Sequence, residues 1–173
     1  MSNRDPVAGR EAAWRLRHEV TAADREQVRA IVESTGFFHP QEVAIAVELV
    51  DERLARGAAS GYSFIFAESD GDAALGYACF GLVPLTQASY DLYWIAVHKQ
   101  HHGRGLGRVL LEEVERQIRA EGGRQIYIET SNREQYQPTR GFYLNCGYAQ
   151  AALLPNFYAP GDDKVIYAKE VSL

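Results

Sequence analysis

The residues best suited to chemistry in this chain of 173 residues stand in DLYWIAVHKQHHGRGLGRVLLEEVERQI, where a strand-like run enters a helix through a glycine-dense turn. Gly103, Gly105 and Gly107 remove side chains from that turn. Successive backbone N–H groups can then converge on an anion, and the positive end of the following helix attracts phosphate. Each such contact is worth about 0.3–1 kcal/mol at an exposed helix end, so a diphosphate needs several together. Competing phosphate motifs fail on spacing. A P-loop requires Gly-Lys followed by Ser or Thr, and the chain offers Gly-Leu-Gly-Arg. A dinucleotide fingerprint requires a third glycine where Leu110 stands, and Glu129 lies too far along to serve as its acidic residue. His98, His101 and His102 crowd the same turn, but without a carboxylate or cysteine at ligand spacing they read as solvated loop residues, and no metal is expected. Cys146 has no recognisable histidine partner that would make it a catalytic thiol.

The elements that must position this turn are legible on both sides of it. SYDLYWIAV reads as a strand, and LGRVLLEEVERQIRAEGG as an amphipathic helix with Leu106, Leu110, Val114 and Ile118 on one face and Gly122 and Gly123 at its end. RQIYIET follows as a buried strand, and a short helix is expected over residues 138–145. Residues 148–154 and 164–171 pair as a final hairpin across PNFYAPGDD. Upstream, a short strand covers residues 14–20, Thr21 N-caps a helix that Gly36 ends, and a second helix runs from Pro40 to Gly57. GYSFIFAE and ALGYACFGLV form a hairpin around SDGD. Strands alternating with helices in this order predict an α/β fold, a mixed sheet with helices on both faces.

Bulk properties narrow the partners. The length suits one domain, read as residues 14–173 behind a flexible arm of residues 1–13. The formal net charge is −5, with both signs interspersed, so the basic stripe that nucleic acid would require is missing. No run of about eighteen apolar residues is present, so a membrane span is not expected. MSNRDPVAGREAAW lacks the apolar stretch of an export signal. Cys79 and Cys146 sit far apart and read as reduced thiols, which together with the missing signal points to the cytoplasm.

These residues resemble a known family. HGRGLG looks like the acyl-coenzyme A signature (Gln/Arg)xxGx(Gly/Ala) of the GNAT family of N-acetyltransferases, with His102 where Gln or Arg is usual. IAV before the turn and FYLNCGY further along resemble two more landmarks of that family. The resemblance runs from about Trp14 to the end and is strongest between Leu92 and Tyr148. It implies a splayed sheet with coenzyme A, delivered as acetyl-CoA, in the gap. The backbone of Ile95, Ala96 and Val97 would pair with the pantetheine arm. His102, Gly103, Arg104, Gly105, Leu106, Gly107 and Arg108 would wrap the diphosphate, with Arg104 and Arg108 adding charge.

The same resemblance implies transfer of an acetyl group to a primary amine of a small molecule or peptide by direct attack. Glu129 would be the base, directly or through water, although a carboxylate at a strand end also suits a structural ion pair. Tyr143 would protonate the leaving thiolate, although Phe142 and Tyr143 also suit plain packing. Glu68 and Asp91 are weaker base candidates. Where the family often has an asparagine that contacts the cofactor, this chain has Tyr136, and Asn132 is the nearest alternative. An oxyanion site would come from a backbone N–H near Ile95.

Phe37, Phe38, Tyr62, Tyr93, Trp94, Tyr136, Phe157 and Tyr158 are candidates for the acceptor pocket. Asp162 and Asp163 read as turn residues that also suit a cationic acceptor. The exposed edge of the final hairpin is a candidate homodimer surface. The competing function is a non-catalytic acyl-CoA-binding or sensor module.

Overall fold

The structure, a computed structural model, describes residues 14–171; the arm expected over residues 1–13 lies outside the described residues. Among the described residues seven strands form one sheet: β1 (Trp14–Arg17), β2 (Ser63–Ser69), β3 (Ala74–Leu82), β4 (Ser89–Val97), β5 (Gln125–Ser131), β6 (Ala149–Ala159) and β7 (Asp162–Glu170). Their spatial order is β1-β2-β3-β4-β5-β7-β6. Among the described residues only the β4–β5 pair is parallel, as its connection through α3 (Leu106–Ala120) requires. The mixed sheet carries α1 (Asp24–Thr35) and α2 (Pro40–Arg56) on one face. The other face carries α3 and α4 (Gln137–Asn145).

Each face buries its own core. Val28, Ile31 and Val32 of α1 and Val43, Ala46, Val47 and Val50 of α2 cover Phe64, Phe66, Tyr77 and Cys79. Leu106, Leu110, Leu111, Val114 and Ile118 of α3 cover Ile65, Ala78, Phe80, Leu92, Ile126 and Ile128. The alternation along β2 and β3 splits between the two layers, so both strands are buried on both sides. Cys79 lies in the first core and is a free thiol, as is Cys146.

Punctuation residues set most boundaries as expected. α2 begins at Pro40, with Glu42 accepting the His39 N–H at 2.8 Å, and stops before Gly57. α1 stops at Gly36, whose φ is 71°. Its start differs from expectation. The helix begins at Asp24 rather than directly after Thr21, because the buried Asp24 carboxylate accepts both the Thr21 N–H (2.6 Å) and hydroxyl (3.1 Å) and so holds residues 21–23 in a turn. Arg17 closes this corner, pairing with Asp24 at 2.7 Å and Glu68 at 2.5 Å above the Phe66 ring. β1 accordingly ends at Arg17 rather than at residue 20.

The last hairpin is longer than expected. PNFYAPGDD is not a loop: β6 continues through Ala159, and only Pro160 and Gly161 turn the chain. Register is lost between Leu154 and Ala159, so residues 155–158 stand off β7 as a lobe. Asn156, at φ 55°, makes the lobe, and Asp163 Oδ1 accepts its N–H at 2.8 Å.

Candidate active site

The site begins where β4 and β5 part. They are paired from Ser89↔Gln125 to Leu92↔Ile128, after which β4 stays on β3 and β5 stays on β7. The parting coincides with a β-bulge: Cys79 opposes Trp94 and Phe80 opposes Leu92, which leaves Tyr93 as the extra residue. Beyond the bulge, His98 N–H donates to Leu75 C=O at 2.8 Å. Hydrogen bonding alternates along an antiparallel pair, so Ala96 faces β3 while the N–H and C=O of Ile95 and Val97 face the gap. The gap is a cleft of about 640 Å³, and Ile95, Ala96, Val97, His102, Glu129, Tyr136 and Tyr143 all line it.

The glycine turn opens beside it. Gly103 and Gly105 have φ values of 75° and 78°, a conformation that side chains disfavour, whereas Gly107 is an ordinary helical residue in the first turn of α3, close to the Phe142 ring. Val109 N–H is the first to bond back, to Gly105 C=O at 3.1 Å. Ahead of it, the N–H groups of residues 103–108 have no backbone acceptor among the described residues. A row of free amides at a helix N-terminus fits a diphosphate. Leu106 is buried in the core, so only its backbone faces outward. Arg104 is exposed. Arg108 instead reaches the Asn145 carbonyl at 3.3 Å and ties α3 to the end of α4.

The His98 and His101 rings lie 5.9 Å apart, tilted, and His102 is engaged elsewhere. His98 accepts the Gln100 N–H at 3.3 Å, and His102 Nε2 meets the Val97 carbonyl at 2.7 Å across the turn. No group of three or more metal-ligating side chains occurs among the described residues.

Tyr143 sits in α4 with its ring against Phe142, Tyr148 and Tyr167 and its side chain on the cleft. Burial, with Cys146 adding to it, pushes its phenol well above the usual range, so it is a protonated donor throughout the neutral range. Burial likewise raises the Cys146 thiol and keeps it from being a ready thiolate.

Glu129 lines the cleft from β5 and pairs with Lys164 of β7 at 2.6 Å. Of the weaker candidates, Asp91 is half-buried beside this pair, its carboxyl raised by burial and by Glu129 and lowered by Lys164. Glu68 is spent in the buried β1–α1 corner.

Tyr136, not Asn132, faces the cleft. The Asn132 N–H bonds the Asp163 carbonyl at 2.9 Å, continuing the β5–β7 ladder, and its side-chain amide lies 3.5 Å from the Asp163 carboxylate, outside the cleft lining.

Most of the aromatic side chains named as acceptor-pocket candidates line the cleft. Phe37, Phe38, Tyr93, Trp94 and Tyr158 line it, with Phe38 and Trp94 centroids 4.9 Å apart; Tyr62 and Phe157 lie outside the lining. Asp162 closes the Pro160–Gly161 turn opposite Ala159 and has further contacts besides. It opens β7, lines the cleft, accepts the Ser131 hydroxyl and pairs with Arg133 at 3.1 Å. Sequence reasoning missed Lys164, Ser131, Arg133 and Thr139. Each reaches the cleft or its carboxylates through strand register or helix packing, and no local motif marks them.

A mixed seven-stranded sheet split at one parallel pair, with an amide-rich turn below the split, is the acyl-CoA N-acyltransferase fold. The model of the acetyltransferase (GNAT) family matches residues 26–148, and the chain belongs to that family. A GNAT-family protein from Desulfovibrio desulfuricans is 51% identical, with 92% of this chain and 99% of that one superposed at a TM-score of 0.90. The ribosomal-protein-S18-alanine N-acetyltransferase of Escherichia coli shares the fold at 18% identity, with coverage of 93% and 96% and a TM-score of 0.73. An aminoglycoside 6'-N-acetyltransferase complexed with coenzyme A does so at 16%, with 90% and 96% covered and a TM-score of 0.70. No curated protein matches the sequence.

Proposed function

We propose that the chain transfers an acetyl group from acetyl-CoA to a primary amine of a small molecule or peptide by direct attack. The observation that carries this reading is the adjacency of three features: the β4 edge at Ile95 and Val97, which has no partner strand in the cleft, the amides of residues 103–108 beside its mouth, which have no backbone acceptor among the described residues, and the buried Tyr143 on the cleft wall. An extended arm bearing amides fits the first, and a diphosphate fits the second. The thioester supplies the activated acyl group.

An alkyl amine has a pKa of about 10.4, so about 4.6 kcal/mol separates it from its nucleophilic form at neutral pH. Glu129, directly or through water, accepts that proton. A backbone N–H beside the bulge at Tyr93 stabilises the oxyanion, and Tyr143 donates its proton to the departing thiolate. The fold neighbours named above act on a ribosomal protein's alanine and on an aminoglycoside, which supports either a peptide or a small molecule as acceptor.

The test pairs calorimetric titration of acetyl-CoA with a thiol-release assay over amino acids, polyamines, aminoglycosides and peptide N-termini. Saturable binding with release on one amine class is expected. Binding without release on any amine would make the chain a sensor, and absence of binding would remove the reading altogether.

A further inference from the structure

Strand β7 carries two lysine–glutamate pairs, on opposite faces of the sheet, and they are built differently. Lys169 meets both oxygens of Glu115, at 2.8 and 2.9 Å, and also the Cys146 carbonyl at 2.9 Å, while Arg119 shares the same carboxylate at 3.1 Å. Here the acid is the buried member, 5% exposed against 25% for the lysine, and it has no free oxygen. That is a brace joining α3, β7 and the end of α4.

Lys164 reverses the arrangement. Its side chain is 11% exposed, whereas Glu129 is 51% exposed and lines the cleft. Only Oε2 of Glu129 is engaged, at 2.6 Å, and Oε1 has no partner among the described residues. The Lys164 ammonium is itself held from above, 3.7 Å from the Phe157 ring centroid and 5.7 Å from that of Tyr158. Both rings belong to the β6 lobe that Asn156 and Asp163 fix in place. A half-exposed glutamate samples several rotamers, and a buried ammonium fixed on one of its oxygens leaves it one direction.

We infer that Lys164 is a positioning residue: wedged between the Phe157 ring and the Glu129 carboxylate, it holds the free oxygen of Glu129 toward the acceptor end of the cleft. This rests on the acetyl-transfer reading above. It adds a residue outside the cleft lining and links the β6 lobe to the reacting groups.

The experiment is a double-mutant cycle of Lys164→Met and Glu129→Gln, with turnover measured on the best amine of the screen and acetyl-CoA affinity by calorimetry. Lys164→Met is expected to lower kcat about tenfold, with acetyl-CoA Kd within about twofold of the parent. Lys164→Arg is expected to recover most of the loss. In the Glu129→Gln background, Lys164→Met should cost nothing further. Wild-type kcat in Lys164→Met, or an undiminished loss on top of Glu129→Gln, overturns the assignment. Should Lys164→Met not fold, Lys164→Gln with Glu129→Gln, which leaves neither charge unpaired, is compared with Glu129→Gln alone under the same criteria. A wild type that releases no thiol with any amine defeats the parent reading and this one together. A wild type that turns over while Lys164 variants are indifferent defeats only this one.

Discussion

Strands β4 and β5 are joined at one end and separated at the other, and the two ends are made of different materials. At the joined end, Tyr90, Leu92, Ile126 and Ile128 are buried under α3. Tyr90 also bonds Glu121 at 2.9 Å, and the Arg124 N–H returns to the Ala88 carbonyl at 2.8 Å. At the separated end the backbone bulges at Tyr93, Ile95 and Val97 have no partner strand across the gap, with the Val97 carbonyl taken by His102, and the polar groups are partly exposed. Apolar burial at the first end supplies the stability that lets the second leave backbone donors unpaired for a ligand. Substitutions at the joined end should therefore lower stability and spare the chemistry, and those at the separated end should do the reverse.

The strongest test of that division is Gly123→Ala. A Cβ at Gly123 would lie 2.3 Å from Ile118 Cγ2 and 2.8 Å from both the Ile118 carbonyl oxygen and the Tyr90 ring, so α3 and β4 must both move. Overpacking of this kind costs about 3 kcal/mol. Urea denaturation should show that loss, while the folded fraction keeps the parent's acetyl-CoA affinity. Full stability with lost affinity would mean that the two ends are not separable.

Next in size is Tyr143→Phe. The ring keeps its contacts with Phe142, Tyr148 and Tyr167, so the melting transition should stay close to that of the parent. Loss of the only proton this side chain can donate should lower kcat more than tenfold, about 1.4 kcal/mol or more, with acetyl-CoA still bound. Unchanged turnover would return Tyr143 to the core as a packing residue.

The division also explains what the sequence could disclose. β4, the glycine turn and α3 are contiguous, and each is bounded by residues whose backbone preferences are strong, so the half of the cleft they form is legible as written. Pro40 and Gly57 mark α2 for the same reason. The other half is assembled by register. Glu129 meets Lys164 only because β5 pairs with β7 so that Ser131 opposes Lys164, and no local pattern encodes that offset. PNFYAPGDD misled for a definite reason. Its Pro, Asn, Gly and Asp are turn residues by composition, yet Asn156 and Asp163 spend that chemistry on a lobe within β6, and the reversal itself needs only Pro160 and Gly161. Asn132 was the nearer match to a family asparagine by residue type, but its amide lies against the Asp163 carboxylate outside the cleft, and Tyr136 lines the cleft instead.

The smallest effect concerns the residue that departs from the family signature. His102 is exposed, lines the cleft, and bonds the Val97 carbonyl at 2.7 Å, so it fastens the glycine turn to the last residue of the free β4 edge. A carbonyl acceptor requires Nε2 to carry the proton, which leaves Nδ1 as the ring's other polar atom. His102→Ala removes one hydrogen bond of the unliganded fold, so stability should fall by about 1 kcal/mol in urea denaturation, and acetyl-CoA affinity should fall by about fivefold at most by calorimetry as the turn loses its tie to β4. His102→Gln can donate an amide N–H to the same carbonyl and should stay within about twofold of the parent. If the alanine variant bound acetyl-CoA as well as the parent does, the free end of β4 would be holding its shape without the turn, and the amides of residues 103–108 alone would account for the grip on the diphosphate.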